Sequence, residues 1–197
     1  AKRGGEEALI ANRNSIKSWE SFLWNKESKP VVEQEVEGLY KPNGTALRIA
    51  SYNVLQSRIF KGNFGGEPQS RYESWKRMVK AVKADIWVLQ EMFYGEEKPD
   101  NSLADDFLAH MRSITGQQDW NYGWDKVGRL VLSRYKIKWS GEIRHRVQAT
   151  WIEMPSGVSS KDILIINVHL RTDTKGQAED ARDFIRDVKA GKFKVNI

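Results

Sequence analysis

The sequence predicts an α+β fold in which two β-sheets form a sandwich flanked by helices, in four layers ordered α/β/β/α. Strand-like and helix-like segments alternate in the first half of the chain, whereas from Trp120 onward most segments are strand-like. This order favours two packed sheets over one doubly wound parallel sheet. Three strand-like segments are also apolar runs that end in a polar residue, and they are Leu47–Leu55, Ala84–Met92 and Asp162–Leu170.

Residues 1–46 are predicted to form an amino-terminal helical arm and connector, separate from a domain at 47–197. Apolar residues recur at helical intervals between positions 5 and 24 and predict an amphipathic helix. Pro30, the acidic run at 33–37 and the Pro-Asn-Gly at 42–44 predict an extended connector. Lys and Arg together are as numerous as Glu in 1–46, so the net charge of +6 lies wholly in 47–197. A basic domain attracts polyanions such as nucleic acids, although on charge alone solubility is the better explanation of a modest positive balance. Combined with the metal site argued below, the charge favours nucleic acid.

The remaining segments are short apolar runs bounded by turn residues, which predict strands, or longer segments with helical periodicity. An almost wholly apolar strand fits a central position in its sheet. The predicted elements are a strand at Leu47–Val54, a helix at Ser70–Lys83, a strand at Ile86–Gln90, a helix at Ser102–Ile114, strands at Arg129–Ser133, Ile137–Ile143, Val147–Met154 and Asp162–Leu170, and a helix at Gly176–Lys189.

Two helices allow more detailed predictions. Ser102 is expected to cap its helix, with Asp105 and Asp106 in the first turn, where acidic side chains favour the helix dipole. The last helix is expected to bury one apolar face, formed by Ala178, Ala181, Ile185 and Val188.

Three polar residues stand where apolar strands end: Asn53, Glu91 and His169. A carboxylate that follows a buried strand is costly to ionise unless it binds a cation or lies at an exposed strand end. Mg²⁺ accepts one or two carboxylates, keeps several waters and adds phosphate oxygens of a substrate. An amide such as Asn53 can orient a metal-bound water or donate to a phosphate oxygen. Together the three residues predict a hydrolytic site for Mg²⁺ or Mn²⁺, with Glu91 and Asn53 at the metal.

Each of these residues alone also fits a structural role: a surface Glu, a turn-forming Asn or a core His. Arg171 follows closely and is a candidate for bidentate phosphate binding, although a solvated loop is equally consistent with its position. Tyr94 and the loop at 60–64 are weaker candidates for stacking on bases.

The order of these motifs resembles the endonuclease/exonuclease/phosphatase superfamily, which has the DNase I-like fold. The matching pieces are S-Y-N-V-L at 51–55, a Trp- and Arg-containing helix, D-I-x-x-L-Q-E at 85–91, L-V-L-S-R-Y-K-I at 130–137 and N-V-H-L at 167–170. The resemblance covers roughly Leu47 to Asn196. The family includes nucleases, deadenylases, sphingomyelinases and inositol polyphosphate phosphatases.

This resemblance implies a metal-dependent phosphoric ester hydrolase, and in particular a nuclease acting on DNA or RNA. It implies that Glu91 is the principal metal ligand and that His169 contacts the scissile phosphate or acts as a general acid. The G-D-F-N-like and S-D-H-like motifs that follow in this family do not occur in the 197 residues. We therefore expect the amino-terminal half of such a domain, incomplete at its carboxyl end and completed by a missing segment or a second copy.

Two alternatives stay open at this point. A truncated or degenerate half-fold would act as a non-catalytic binding or interaction module, and a related enzyme would act on small phosphoesters or lipid head groups. No apolar run approaches the ~20 residues of a membrane helix, so we expect a soluble chain without a membrane span, either cytoplasmic or exported. The chain has no cysteine, which excludes disulfides and zinc–thiolate sites.

Overall fold

The computed structural model describes residues 44–54, 68–92, 101–144, 146–169 and 174–192. Nearly all of the predicted arm at 1–46, the loop at 55–67, Tyr94 and Arg171 lie outside these residues. Within them the fold is mixed α+β with two sheets, which confirms the predicted class. The helices are α1 Pro68–Val82, α2 Asn101–Thr115 and α3 Thr174–Lys189, and the strands are β1 Ile49–Asn53, β2 Ile86–Gln90, β3 Asn121–Trp124, β4 Arg129–Ser133, β5 Ile137–Arg144, β6 Val147–Ile152 and β7 Ile163–Val168.

The chain divides into two compact units. The first contributes residues 44–45 and 68–83 to the described part of the chain, and so includes helix α1. Trp75, Met78 and Val79 of α1 are buried, as its apolar periodicity predicts. The second unit contains every described strand together with helices α2 and α3. All three strand-end candidates therefore belong to the second unit.

The first sheet has four strands in the order β1-β2-β4-β3. Strand β1 runs parallel to β2, whereas β4 runs antiparallel to both β2 and β3. Asn53, Gln90 and Arg129 lie side by side at one end of this sheet. The second sheet is an antiparallel meander in the order β5-β6-β7. Parallel pairing of β1 and β2 brings their carboxyl ends to the same edge, where the candidate residues follow.

Strand β3 was not predicted from the sequence. It has only four residues and includes Gly123, which breaks the apolar pattern. The structure shows why glycine suits this position: a Cβ on Gly123 would lie 2.5 Å from Oγ of Ser140 on the second sheet. The glycine therefore allows close approach of β3 to β5.

Side chains from both sheets share one apolar core. Ile86, Val88 and Val131 of the first sheet pack with Ile152 and Met154 of the second. Residues 86–89 of β2 are all buried, which confirms the central position predicted for this strand. Burying each large aliphatic side chain contributes about 1.5–3 kcal/mol before opposing terms, so this shared core stabilises the packing of the two sheets.

The prediction that Ser102 caps α2 is wrong. The helix begins at Asn101, so Ser102 lies within its first turn and Asp105 and Asp106 follow that turn. Asp105 instead accepts a hydrogen bond from the hydroxyl of Tyr122, at 3.0 Å. The buried face of α2 agrees largely with its periodicity and comprises Leu103, Ala104, Phe107, Met111 and Ile114.

The predicted burial of the last helix is also wrong. In α3, Ala178 is exposed, and Ile185 and Val188 are 52% and 49% exposed. The helix is instead held by polar contacts, because Arg144 at the end of β5 pairs with Asp183 and Asp187. Periodicity identifies an apolar face, but it does not determine whether another element covers that face.

The outer face of β7 is also partly uncovered among the described residues. Leu164 is 50% exposed and Ile166 is 37% exposed, whereas Asn167 between the sheets is almost fully buried. No helix in the described ranges combines the length and apolar character needed to cross a bilayer.

Candidate metal and phosphate site at the strand ends

Glu91 follows β2 in a left-handed backbone conformation, with φ of 59°. For a residue with a Cβ this conformation costs about 1–2 kcal/mol. Hydrogen bonds on both sides hold it: the Val54 N–H donates to the Gln90 carbonyl at 3.0 Å, and the Met92 N–H donates to the Gly128 carbonyl at 2.9 Å. Strain of this kind collects at functional sites, where the surrounding structure maintains it.

Asn53 is the last residue of β1 and lies in register with Gln90, directly before Glu91. Its Nδ2 donates a hydrogen bond to Oε1 of Glu91 at 2.8 Å. The sequence predicted that both residues stand at strand ends, and the parallel pairing of β1 and β2 explains why the two ends meet.

His169 directly follows β7, and its N–H donates to the carbonyl of Arg146 at 3.0 Å. Its Nε2 lies 3.2 Å from Oε1 of Glu91, and the side chains are 26% and 16% exposed. The structure therefore brings Asn53, Glu91 and His169 together at one carboxylate oxygen, in a position that solvent reaches. Their roles in metal binding and catalysis stay predictions.

The side-chain donors at this point are one carboxylate, one amide and one imidazole, and Mg²⁺ is the kind of ion that takes one or two carboxylates and keeps several waters. Oε1 of Glu91 has two close neighbours, while no described residue hydrogen-bonds the other carboxylate oxygen, Oε2. No group of three His, Cys, Asp or Glu side chains suited to a metal occurs in the described part of the chain. An ion here would depend on one carboxylate, one amide, water and substrate oxygens rather than on a cage of protein ligands.

A buried ion pair supports the turn beside Glu91. Oδ1 of Asp125 accepts hydrogen bonds of 2.8–3.0 Å from three backbone N–H groups at 127–129. The Arg129 guanidinium pairs with the other oxygen of Asp125 and, at 3.1 Å, with Glu142. Because the Gly128 carbonyl in this turn receives the Met92 N–H, the pair stabilises the backbone on one side of the candidate site.

Sequence reasoning missed a set of hydrogen-bonded amides behind the site, which comprises the half-buried Gln90 and the buried Gln148 and Asn167. Gln148 is fully buried and Asn167 is 1% exposed, and both lie between the sheets. A sequence signal existed, because I-W-V-L-Q and I-L-I-I-N-V each place one amide in an apolar strand. A buried amide needs hydrogen-bond partners, so each of these positions predicts a polar contact that the sequence alone does not specify.

His110 lies on helix α2 rather than at a strand end. Burial holds its pKa below the ordinary value, since the charged imidazolium is less well solvated there, and Asp106 partly opposes this effect. Arg171, Tyr94, His145 and the loop at 60–64 lie outside the described residues.

A concave region with a volume of about 430 Å³ lies at the opposite end of the strands from Glu91. Its charged groups are paired: Arg134 with Asp119 at 3.0 Å, and Lys136 with Glu153 at 3.0 Å. Asn53, Glu91 and His169, the predicted site residues within the described ranges, do not line it, so we place the candidate site at Glu91. The lining residues are Arg134, Tyr135, Lys136, Glu153, Met154 and Pro155.

Comparison with protein-family models, with curated proteins and with solved structures finds no match for this chain. The resemblance to the endonuclease/exonuclease/phosphatase superfamily therefore stays a prediction from the motifs.

Proposed function

We propose that this chain carries part of a divalent-metal-dependent phosphodiesterase site, most specifically that of a nuclease that hydrolyses DNA or RNA. The observation that supports this most is the approach of Asn53 and His169 to the same oxygen of Glu91, at 2.8 and 3.2 Å. An amide, a carboxylate and an imidazole at one solvent-accessible edge suit a phosphate ester and a hard cation. The net charge of +6 favours a polyanionic substrate.

In this proposal Glu91 and Asn53 hold Mg²⁺ or Mn²⁺. A bound ion of this type neutralises charge on a phosphoryl group. The Asn53 amide orients water or a phosphate oxygen, and the His169 imidazole donates a hydrogen bond to a phosphoryl oxygen or a proton to the leaving oxygen. Arg171 is proposed to contact phosphate through its guanidinium.

The group that would activate the attacking water is not among the described neighbours of Glu91. With one carboxylate and one imidazole, the described site lacks a third acidic or imidazole side chain. We propose that a further segment or a second copy supplies it, within a complete four-layer α/β/β/α sandwich. The site lies where strands of both sheets end, and the side chains of Glu91 and His169 are partly exposed there. Another segment can therefore approach them.

The alternative is a non-catalytic binding module. The observation that favours it is the combination of a single carboxylate with the exposed apolar side chains of Leu164 and Ile166 on β7. Metal binding separates the two functions, because the phosphodiesterase site requires a cation at Glu91 and a protein-binding surface does not.

Substitution of Glu91 by Gln is the direct test. Gln keeps the shape of the side chain and removes its negative charge, so we expect Mn²⁺ affinity, measured by titration calorimetry or electron paramagnetic resonance, to fall more than about 10-fold, the loss seen even for outer partners of metal sites. EDTA-sensitive cleavage of labelled DNA and RNA, measured in parallel, should be abolished.

Glu153→Gln is the matched control, because Glu153 is a partly exposed Glu at the opposite end of the strands, paired with Lys136. It should change neither readout. If the unmodified chain neither binds Mn²⁺ nor cleaves any substrate, and Glu91→Gln behaves identically, the phosphodiesterase proposal is wrong for this chain and the binding module is favoured.

A further inference from the structure

A hydrogen-bonded pair of side-chain amides connects strands β2 and β7 near their carboxyl ends, shortly before Glu91 and His169 in the sequence. Nε2 of Gln90 donates to Oδ1 of Asn167 at 2.8 Å, across 77 positions of sequence. Nδ2 of Asn167 donates to the Leu89 carbonyl at 2.9 Å and to Oε1 of Gln148 at 3.1 Å. Asn167 therefore uses both of its N–H donors and its carbonyl oxygen in contacts between strands.

The position of this pair relates it to the site. Gln90 immediately precedes Glu91, and Asn167 stands two residues before His169, so Asn167 and His169 share one side of the extended chain. Asn167 bonds both the side chain of Gln90 and the backbone of Leu89, and so holds the end of β2 at two points. One buried side chain thus sets the offset between the two strand ends that carry the site.

The chemistry of the contact indicates positioning more than stability. A satisfied buried hydrogen bond contributes little net free energy, whereas an unsatisfied one is costly. Apolar contacts such as those of Ile86 and Val88 tolerate small shifts because they are not directional, while hydrogen bonds require short distances and aligned donors. A functional site must be held to within about 0.5 Å, which directional contacts beside it achieve.

We propose that Asn167 is a positioning residue that sets the separation of Glu91 and His169 through its bonds to Gln90 and Leu89. This inference rests on the proposed function for its consequence in metal binding and hydrolysis. The geometric part, the coupling of Glu91 to His169, can be measured without metal or substrate.

The measurement is a double-mutant cycle observed by NMR of the histidine imidazoles in the full 197-residue chain at one fixed pH. The signal of His169 is identified by its loss in His169→Gln. In the unmodified chain, Glu91→Gln should shift the His169 signal, since their side chains lie 3.2 Å apart. In an Asn167→Leu background, Glu91→Gln should shift the His169 signal by less than half as much. The Mn²⁺ affinity of the Asn167→Leu variant should be about 10- to 100-fold weaker than that of the unmodified chain.

A second variant guards against simple loss of folding. Asn167→Leu removes the N–H donor of the Leu89 carbonyl and of Oε1 of Gln148, and it leaves Nε2 of Gln90 with only its longer contacts to Ser51 and Val88. Gln90→Leu combined with Asn167→Leu replaces the Gln90–Asn167 amide pair by apolar groups, which is less costly than removing one amide of the pair. We expect this double variant to regain part of the stability measured by urea denaturation, while the Glu91–His169 coupling stays weak. Ile86 lies on the same face of β2 as Gln90, at the opposite end of the strand. Ile86→Val should therefore lower the free energy of unfolding and leave the Glu91–His169 coupling unchanged.

The possible results distinguish the two proposals. Full coupling in Asn167→Leu or in the double variant would overturn the positioning role, even if the chain binds Mn²⁺ well. Loss of coupling in a chain that binds no Mn²⁺ would support positioning and contradict the proposed function. Equal loss of coupling in Ile86→Val would show that any weakening of the core has this effect, and would also overturn the inference.

Discussion

The two halves of the interface between the sheets differ in chemistry. Where β2 begins, Ile86 and Val131 pack with Ile152 and Met154 in an apolar cluster. Where β2 ends, amides and an ion pair fill the same interface, and they include Gln90, Gln148, Asn167 and Arg129. The candidate site lies at the polar end of this interface. The concave region, with the ion pairs of Arg134 and Lys136, lies at its apolar end.

This difference separates two tasks within one interface. The apolar half contributes burial, which stabilises the packing of the two sheets but does not set small distances. The polar half gains less net free energy per contact, because its groups give up hydrogen bonds to water, but its contacts are directional. The left-handed backbone at Glu91 lies in the polar half, where hydrogen bonds on both sides maintain it.

The largest expected effect is at the ion pair of the polar half. Asp125→Asn removes the buried one of the two carboxylates that pair with the Arg129 guanidinium, which is 3% exposed, and leaves only the partly exposed Glu142. We expect a loss of about 3 kcal/mol in the free energy of unfolding, as for other buried pairs deprived of one partner. Urea denaturation followed by circular dichroism measures it.

Asp119→Asn is the control for this substitution. Asp119 pairs with Arg134 at 3.0 Å, but its side chain is 48% exposed, and surface pairs contribute about 0–1 kcal/mol. Equal losses in both variants would mean that the polar half is no more dependent on its charges than the surface is.

A smaller effect is expected in the apolar half. Ile86 is fully buried, and Ile86→Val should lower the free energy of unfolding by about 1 kcal/mol, through one lost methylene and the space it leaves. Ile49→Val is the control, since Ile49 is the register partner of Ile86 and is 44% exposed. A larger loss at Ile49 than at Ile86 would contradict the assignment of stability to this half.

The smallest effect concerns the surface at the apolar end. Hydrogen bonds hold the pKa of Asp162 below its ordinary value. The larger cause is the bond from Lys138 at 2.9 Å, and the second is the bond from the Met154 N–H. A carboxyl with a lowered pKa in the folded state adds stability above its unfolded pKa of about 3.9, and that contribution disappears as pH falls through the folded value. The melting temperatures of the unmodified chain and Asp162→Asn should therefore differ at neutral pH and converge below about pH 4.

Lys138→Gln removes the same hydrogen bond from the other side, so its melting temperature should approach that of the unmodified chain over the same acidic range. A difference between the unmodified chain and Asp162→Asn that persists unchanged at acidic pH would show that the contact does not depend on ionisation of Asp162.

Local pattern predicted several elements well. Strands β2 and β4 begin and end where the sequence places them, at Ile86–Gln90 and Arg129–Ser133, because both are apolar runs bounded by polar or turn residues. Strand β3 was missed, since its Gly123 is explained only by the proximity of Ser140 on the other sheet. The apolar face of α3 was predicted from its periodicity, but its exposure depends on what the rest of the chain places beside it.

The sequence by itself determined the mixed α+β class, the central position of β2 and the polar residue types at three strand ends. Only the tertiary structure decided that Asn53 and His169 reach one oxygen of Glu91, and that Asn167 joins the strands behind them. The physical reason is that periodicity and apolar runs reflect burial, which each segment expresses locally. Contacts between distant strands depend instead on register and on the offset of one sheet against the other, and no single segment encodes either of these.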